Sequence, residues 1–104
     1  NLFNSAIGMN ENNIHIYNQL GIALRKQKKF NDAIVNYAKA LKVKPNDVNL
    51  QYNQAKAYYL NGNELKAIDI LNKAFGLNAE LITKFREDRA FSKLIEENPD
   101  KFNF

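Results

Sequence analysis

The chain has no cysteine, no tryptophan and a single histidine among its 104 residues. Without cysteine, a disulfide framework, a thiolate metal site and a cysteine nucleophile are excluded, and the lone His15 cannot form a multi-histidine metal cage. The four glycines are scattered along the chain, so they do not form a phosphate-binding loop. We therefore expect no catalytic residues, no metal ligands and no cofactor, and we predict that this stretch is not an enzyme.

Long hydrophobic runs are also missing. No stretch approaches the roughly 20 apolar residues that a helix needs to cross a bilayer, and the first ten residues lack the pattern of a signal peptide. Hydrophobic residues make up 45% of the chain and charged residues 25%, which is typical of an ordinary globular protein. We expect a folded cytoplasmic domain with no membrane partner.

The sequence repeats itself at a fixed spacing of about 34 residues, which we call the period. A shift by one period aligns small and apolar residues in three successive copies, such as Ala6 with Ala40 and Ala74, and Ile7 with Leu41 and Phe75. A fixed period of this length is the signature of a solenoid, in which each repeat packs on its neighbours.

Each copy has the pattern of two helices. Apolar residues recur every three or four positions from Tyr17 to Leu24 and again from Phe30 to Leu41, with a polar segment at residues 25–29 between them. This pattern predicts a helical hairpin.

Short polar residues are expected to cap these helices. Asn31 and Asp32 are predicted to cap the second helix, and Asp47 the third, because their side chains can accept hydrogen bonds from unpaired N–H groups. Small residues are predicted where two helices approach closely, at Gly21, Ala33, Ala40, Ala55, Ala67 and Ala74.

These spacings resemble a known repeat. The pattern Tyr17-x2-Leu20-Gly21-x2-Leu24, followed by Ala33-x3-Tyr37-x2-Ala40 and Pro45, is similar to the tetratricopeptide repeat. The second copy is looser, since Gln51 and Gln54 stand at the aromatic and leucine positions. The resemblance implies an all-α fold, a right-handed superhelical stack of antiparallel helix pairs.

The same alignment divides the chain. We expect the second half of a preceding repeat at 1–13, full repeats at 14–47 and 48–80, and degenerate capping helices at 81–104. An isolated second helix would leave its apolar face uncovered, so we expect the chain to be the C-terminal part of a longer repeat array.

In the family, the first helix of each repeat lines a concave groove that binds a peptide or helix of another protein. The resemblance therefore implies a protein–protein interaction module, an adaptor or scaffold. The partner-binding groove carried over to this chain comprises Asn18, Ile22, Arg25, Lys26, Asn49, Tyr52, Asn53, Lys56 and Tyr59. Such Asn side chains can bond a peptide backbone, and Tyr supplies rigid contact area.

Positive charge is concentrated in one repeat. Residues 14–47 hold seven basic and two acidic side chains, mostly near helix ends where cations offset the carbonyl dipole. The alternative is that Arg25 and Lys26, with Lys56, attract an acidic partner segment.

Two other functions are alternatives to peptide binding in the groove. The exposed N-terminal helix face could form a homo-oligomer. A helical repeat that binds single-stranded RNA is less favoured, because no face interleaves basic and aromatic residues, and we expect no nucleic acid partner.

Overall fold

The structure, a computed structural model, describes residues 11–102. Within this range it is built from helices alone, which confirms the all-α class: α1 (Glu11–Lys26), α2 (Phe30–Val43), α3 (Val48–Leu60), α4 (Glu64–Leu77), α5 (Leu81–Glu87), a 3-10 turn (Arg89–Phe91) and α6 (Ser92–Glu97). The half-repeat expected at 1–13, and with it the proposed oligomer face, lies almost wholly outside the described residues. None of the helices in the described range has the length and apolar character needed to cross a membrane.

The first four helices form two hairpins, α1 with α2 and α3 with α4, and α2 packs against α3. The alanines predicted at the close approaches are all 0% exposed: Ala33, Ala40, Ala55, Ala67 and Ala74. At Gly21 a Cβ atom would lie 2.5 Å from Cε1 of Tyr37, closer than real Cβ contacts come. The prediction that small residues allow these helices to approach is confirmed.

The turns inside both hairpins share one geometry. Lys28 after α1 and Gly62 after α3 both have a positive φ, of 65° and 89°, and they lie one period apart in the sequence. In each turn the N–H of the next residue bonds to a carbonyl five residues back, at 2.9 Å, which closes the helix end.

The capping predictions have mixed outcomes. The Asp47 side chain accepts the N–H groups of Asn49 and Leu50 at 3.0 and 3.1 Å, as predicted. For α2 the prediction is wrong, because this helix begins at Phe30 and Asn31 and Asp32 therefore lie inside its first turn. No side chain caps α2.

The buried apolar residues form two clusters. The first includes Tyr17 and Tyr37 of the first hairpin. The second is rich in aromatic rings around Phe85, whose ring centroid lies 5.2 Å from that of Phe75 and 5.0 Å from that of Phe102. Helix α3 contributes to both, with Leu50 and Ala57 in the first cluster and Tyr52 and Ala55 in the second.

Candidate partner-binding surface

Two of the predicted groove residues meet where α1 and α3 lie side by side. The Nδ2 of Asn53 donates a hydrogen bond of 2.9 Å to the Oδ1 of Asn18, and both side chains are half-buried. In this arrangement the Asn53 amide N–H is the donor and the Asn18 amide oxygen is the acceptor, so the bond holds the two amides against each other. It leaves Asn18 Nδ2 and Asn53 Oδ1 as a donor and an acceptor with unused capacity.

A shallow cavity of about 220 Å³ lies beside this amide pair. It is lined by residues from the starts of α1 and α3, namely Ile14, His15, Asn18, Asp47, Asn49 and Leu50. The structure therefore brings Asn18, Asn49 and Asn53 together, with the exposed His15 next to them.

A second part of α3, from Tyr52 to Tyr59, is covered by the segment that follows α5. The Tyr52 hydroxyl donates to Asp88 Oδ2 at 2.7 Å, and Lys56 Nζ lies 2.7 Å from the same oxygen. Burial, followed by the hydrogen bond to Asp88, raises the pKa of Tyr52 far above its ordinary value. Tyr52 is only 1% exposed, so in this arrangement its side chain does not reach a ligand.

The Asp88 carboxylate is held in its charged form. Burial alone would raise the pKa of Asp88, but hydrogen bonds from Lys56, from Tyr52 and from the N–H of Ala90 outweigh burial and lower it. Lys56 is consequently paired with an ionised partner and does not present an uncompensated cation to the groove.

Aromatic rings also contribute to the covered part of α3. The centroids of Tyr59 and Phe91 lie 5.6 Å apart, and Lys56 Nζ lies 5.7 Å from the Phe91 ring. The exposed Lys84 reaches across from α5, with Nζ 4.7 Å from the centroid of Tyr52.

Sequence reasoning missed that Asp88, Phe91 and Lys84 belong to this surface. A signal for one of them was present: Asp88 follows Lys56 by slightly less than one period, and repeats place such residues on neighbouring helices.

The remaining predicted residues of α1 differ in exposure. Arg25 is half-buried beside Tyr37, and neither Arg25 Nε nor the Tyr37 hydroxyl has a hydrogen-bond partner among residues 11–102. Burial raises the pKa of Tyr37, and the guanidinium of Arg25 offsets part of that rise. Ile22 packs against the first core cluster, and Lys26 is exposed at the end of α1.

Known families and proteins match parts of this chain. A family model described as a TPR repeat matches residues 23–62, and one described as a tetratricopeptide repeat matches residues 48–81. The proteins named protein O-mannosyl-transferase TMTC3 from Mus musculus and from Homo sapiens are each 35% identical to this chain over 57 residues, which is 55% of the chain. The matched stretch is 6% of each of these relatives, so the chain corresponds to a small part of their length.

Proposed function

We propose a specific protein-binding surface for this chain, which belongs to the tetratricopeptide repeat family. Repeats of this family generally mediate protein–protein interactions. The proposed surface is the face of α1 and α3 that carries Asn18, Asn49 and Asn53, and its ligand is a segment of a partner protein.

The observation that carries this proposal is the amide pair of Asn18 and Asn53. A peptide group presents one N–H donor and one C=O acceptor, and the pair offers one unused acceptor and one unused donor side by side. Because the two amides hold each other in place, a bound peptide would lose less conformational entropy on their account. The adjacent cavity gives room for a side chain of the bound segment.

The preference for an acidic or a neutral partner depends on which basic side chains of the surface remain available to a ligand. Lys56 is neutralised by Asp88 and Arg25 lies beside Tyr37, so an acidic partner segment would depend on Lys26 and on Lys84. We therefore propose that backbone recognition by the amides is the main interaction and that attraction to acidic residues is secondary.

The proposal keeps the division of the chain into repeats at 14–47 and 48–80, with capping helices after residue 80. It assigns no chemical step to them. The names of the two relatives contain the word transferase, but the stretch that this chain matches makes up only 6% of those proteins.

The proposal can be tested with a library of random peptides displayed on phage and selected on the immobilised chain. Enriched peptides would be synthesised and titrated against the wild type and against the double variant Asn18→Ala, Asn53→Ala. Loss of two hydrogen bonds worth about 1 kcal/mol each predicts that the affinity falls by about tenfold or more.

The matched control is Gln27→Ala, which removes an exposed amide from the turn after α1, away from the proposed surface. It should leave the affinity unchanged. If no peptide is enriched over an empty surface, or if the double variant binds the selected peptides as the wild type does, the proposed surface is wrong.

A further inference from the structure

A second groove runs between α2 and α4, on the other side of α3 from the amide pair. Its volume is about 600 Å³. Gln51 and Tyr58 of α3 line it, and these residues are seven positions apart, which places them on one helical face. Asn49 and Asn53 lie two residues to either side of Gln51, a rotation of roughly 200° in each direction, and so belong to the opposite face.

The first repeat has an aromatic residue at the position that corresponds to Gln51. Tyr17 precedes Gln51 by one period, and Lys39 precedes Lys73 by the same spacing. Tyr17 is 2% exposed, and Lys39 Nζ lies 5.6 Å from its ring centroid. In the second repeat Gln51 replaces the ring, and both Gln51 and Lys73 line the groove. The groove therefore lies beside a position where glutamine replaces the aromatic residue of the first repeat, next to the lysine that corresponds to Lys39.

Gln51 also presents a polar atom with no partner. Its Nε2 donates to the carbonyl of Pro45 at 2.7 Å, and this bond assigns Oε1 as the acceptor end of the amide. The residue is 4% exposed, and Oε1 has no hydrogen-bond partner among the described residues. A buried acceptor without a donor carries an energetic cost that a ligand with an N–H group would relieve.

The other groove residues favour an aromatic ring with an acidic neighbour. Leu41 and Ile70 provide apolar walls for a ring. Lys66 and Lys73 lie on the same side of α4, seven residues apart, with the single acidic residue Asp69 between them, so positive charge predominates there.

We propose that this groove binds a tryptophan side chain of a partner protein, with an acidic residue next to the tryptophan. The indole ring lies in the groove against Gln51, the counterpart of Tyr17, and beneath Lys73, an arrangement in which a cation attracts the face of the ring. The indole N–H is a donor only, which matches the acceptor Gln51 Oε1. Because Oε1 is closed to water, the Gln51 amide turns slightly towards the groove on binding.

The absence of tryptophan from this chain makes the test direct. The probe is the capped peptide acetyl-Leu-Glu-Trp-Glu-Leu-amide, and its tryptophan fluorescence is recorded while the full 104-residue chain is added. We expect a saturable shift of the emission to shorter wavelength, because the ring leaves water. The same peptide with alanine in place of tryptophan should fail to compete.

Two variants locate the binding site. Gln51→Tyr gives the second repeat its own ring and should lower the affinity by about tenfold or more, the scale of losing one well-buried aromatic contact. Lys73→Ala removes an exposed cation without disturbing the core and should lower the affinity by about two- to fivefold, as expected for one cation–π contact. Lys93→Ala, which removes an exposed lysine of α6 that does not line the groove, is the matched control for Lys73→Ala and should change nothing. Asn53→Ala reports whether the peptide binds instead to the amide face on the opposite side of α3.

Three results would overturn the proposal. The first is the absence of saturable binding to the wild type, and the second is undiminished binding to Gln51→Tyr or, should that variant not fold, to Lys73→Ala. The third is loss of binding in Asn53→Ala alone, which would place the peptide on the amide face.

Discussion

At the scale of single residues, Tyr37 and Tyr52 are both buried but differ in the hydrogen bonding of their hydroxyl groups. Tyr37 is 0% exposed and its hydroxyl has no hydrogen-bond partner among the described residues, whereas Tyr52 is 1% exposed and its hydroxyl donates to Asp88 at 2.7 Å. Both rings fill core positions, so only the hydroxyl groups distinguish them.

Replacing each tyrosine by phenylalanine should therefore have different effects on the free energy of unfolding. Tyr52→Phe removes a hydrogen bond to a charged group and should cost about 1.5–3 kcal/mol, while Tyr37→Phe removes a buried hydroxyl without a partner and should be neutral or slightly stabilising. Urea unfolding followed by circular dichroism would measure both. A Tyr52→Phe variant as stable as the wild type would mean that the bond to Asp88 contributes no stability.

The sequence predicts the small core residues well and the role of Tyr52 poorly, for a physical reason. Ala33 and Ala67 recur at one period, so their position in the helix pair follows from the repeat itself. Tyr52, which the family pattern places in the groove, is buried and its hydroxyl donates to Asp88, and Asp88 lies among the degenerate helices after residue 80. Asp88 and Arg89 stand two periods after Leu20 and Gly21, and periodicity carries no information about which side chains replace that pair.

At the scale of helices, the approach of α1 to α2 depends on the absence of a side chain at Gly21. A Cβ there would lie 2.5 to 2.9 Å from three atoms of the Tyr37 ring, which is fully buried and has no room to retreat. At Gly76, near the end of α4, a Cβ would have no neighbouring atom within 4 Å, so this position faces open space.

These two glycines give a matched pair of alanine variants. Gly21→Ala should lower the free energy of unfolding by about 1–3 kcal/mol through overpacking, although alanine is the better helix former. Gly76→Ala should raise it by about 0.5 kcal/mol, because alanine reduces the freedom of the unfolded chain. Thermal unfolding of both variants would measure the difference, and a Gly21→Ala chain as stable as the wild type would contradict the close approach.

The ends of the helices are predicted less well than their existence. The periodicity of apolar residues indicates both hairpins and the start of α2 at Phe30, but the predicted cap of α2 is wrong. The turn before this helix contains Lys28 in the positive-φ conformation that Gly62 adopts in the second hairpin, and Lys29 stands at the cap position. A lysine does not indicate a positive φ, so the tight turn at Lys28 cannot be predicted from this run of basic residues.

At the scale of the whole molecule, Asp88 links α3 to the helices that follow α4. Its folded-state pKa is lowered, so it contributes stability above the unfolded value of about 3.9, and this contribution is lost as the pH falls through the folded value. The acid side of the stability curve should therefore report on this contact between α3 and the last helices.

The variant Asp88→Asn tests this dependence. At neutral pH it should lower the free energy of unfolding by about 1–3 kcal/mol, because Lys56 and Tyr52 lose their charged acceptor, and the difference from the wild type should shrink as the pH drops below about 4. Chemical unfolding at a series of pH values would measure it. Glu97→Gln is the control, since Glu97 pairs with Lys93 at 3.7 Å on the exposed surface and should contribute little. A difference that stays constant down to low pH would contradict the lowered pKa of Asp88.

The division of the apolar residues between two cores has a consequence for how the chain unfolds. Helix α3 supplies Leu50 and Ala57 to one core and Tyr52 and Ala55 to the other, so neither core is complete without it. In a nearest-neighbour description of a repeat protein, such sharing makes the coupling between repeats large compared with the stability of either repeat alone. The loss of one hairpin would expose a buried side of α3 and weaken the other, which favours a single cooperative transition over melting repeat by repeat.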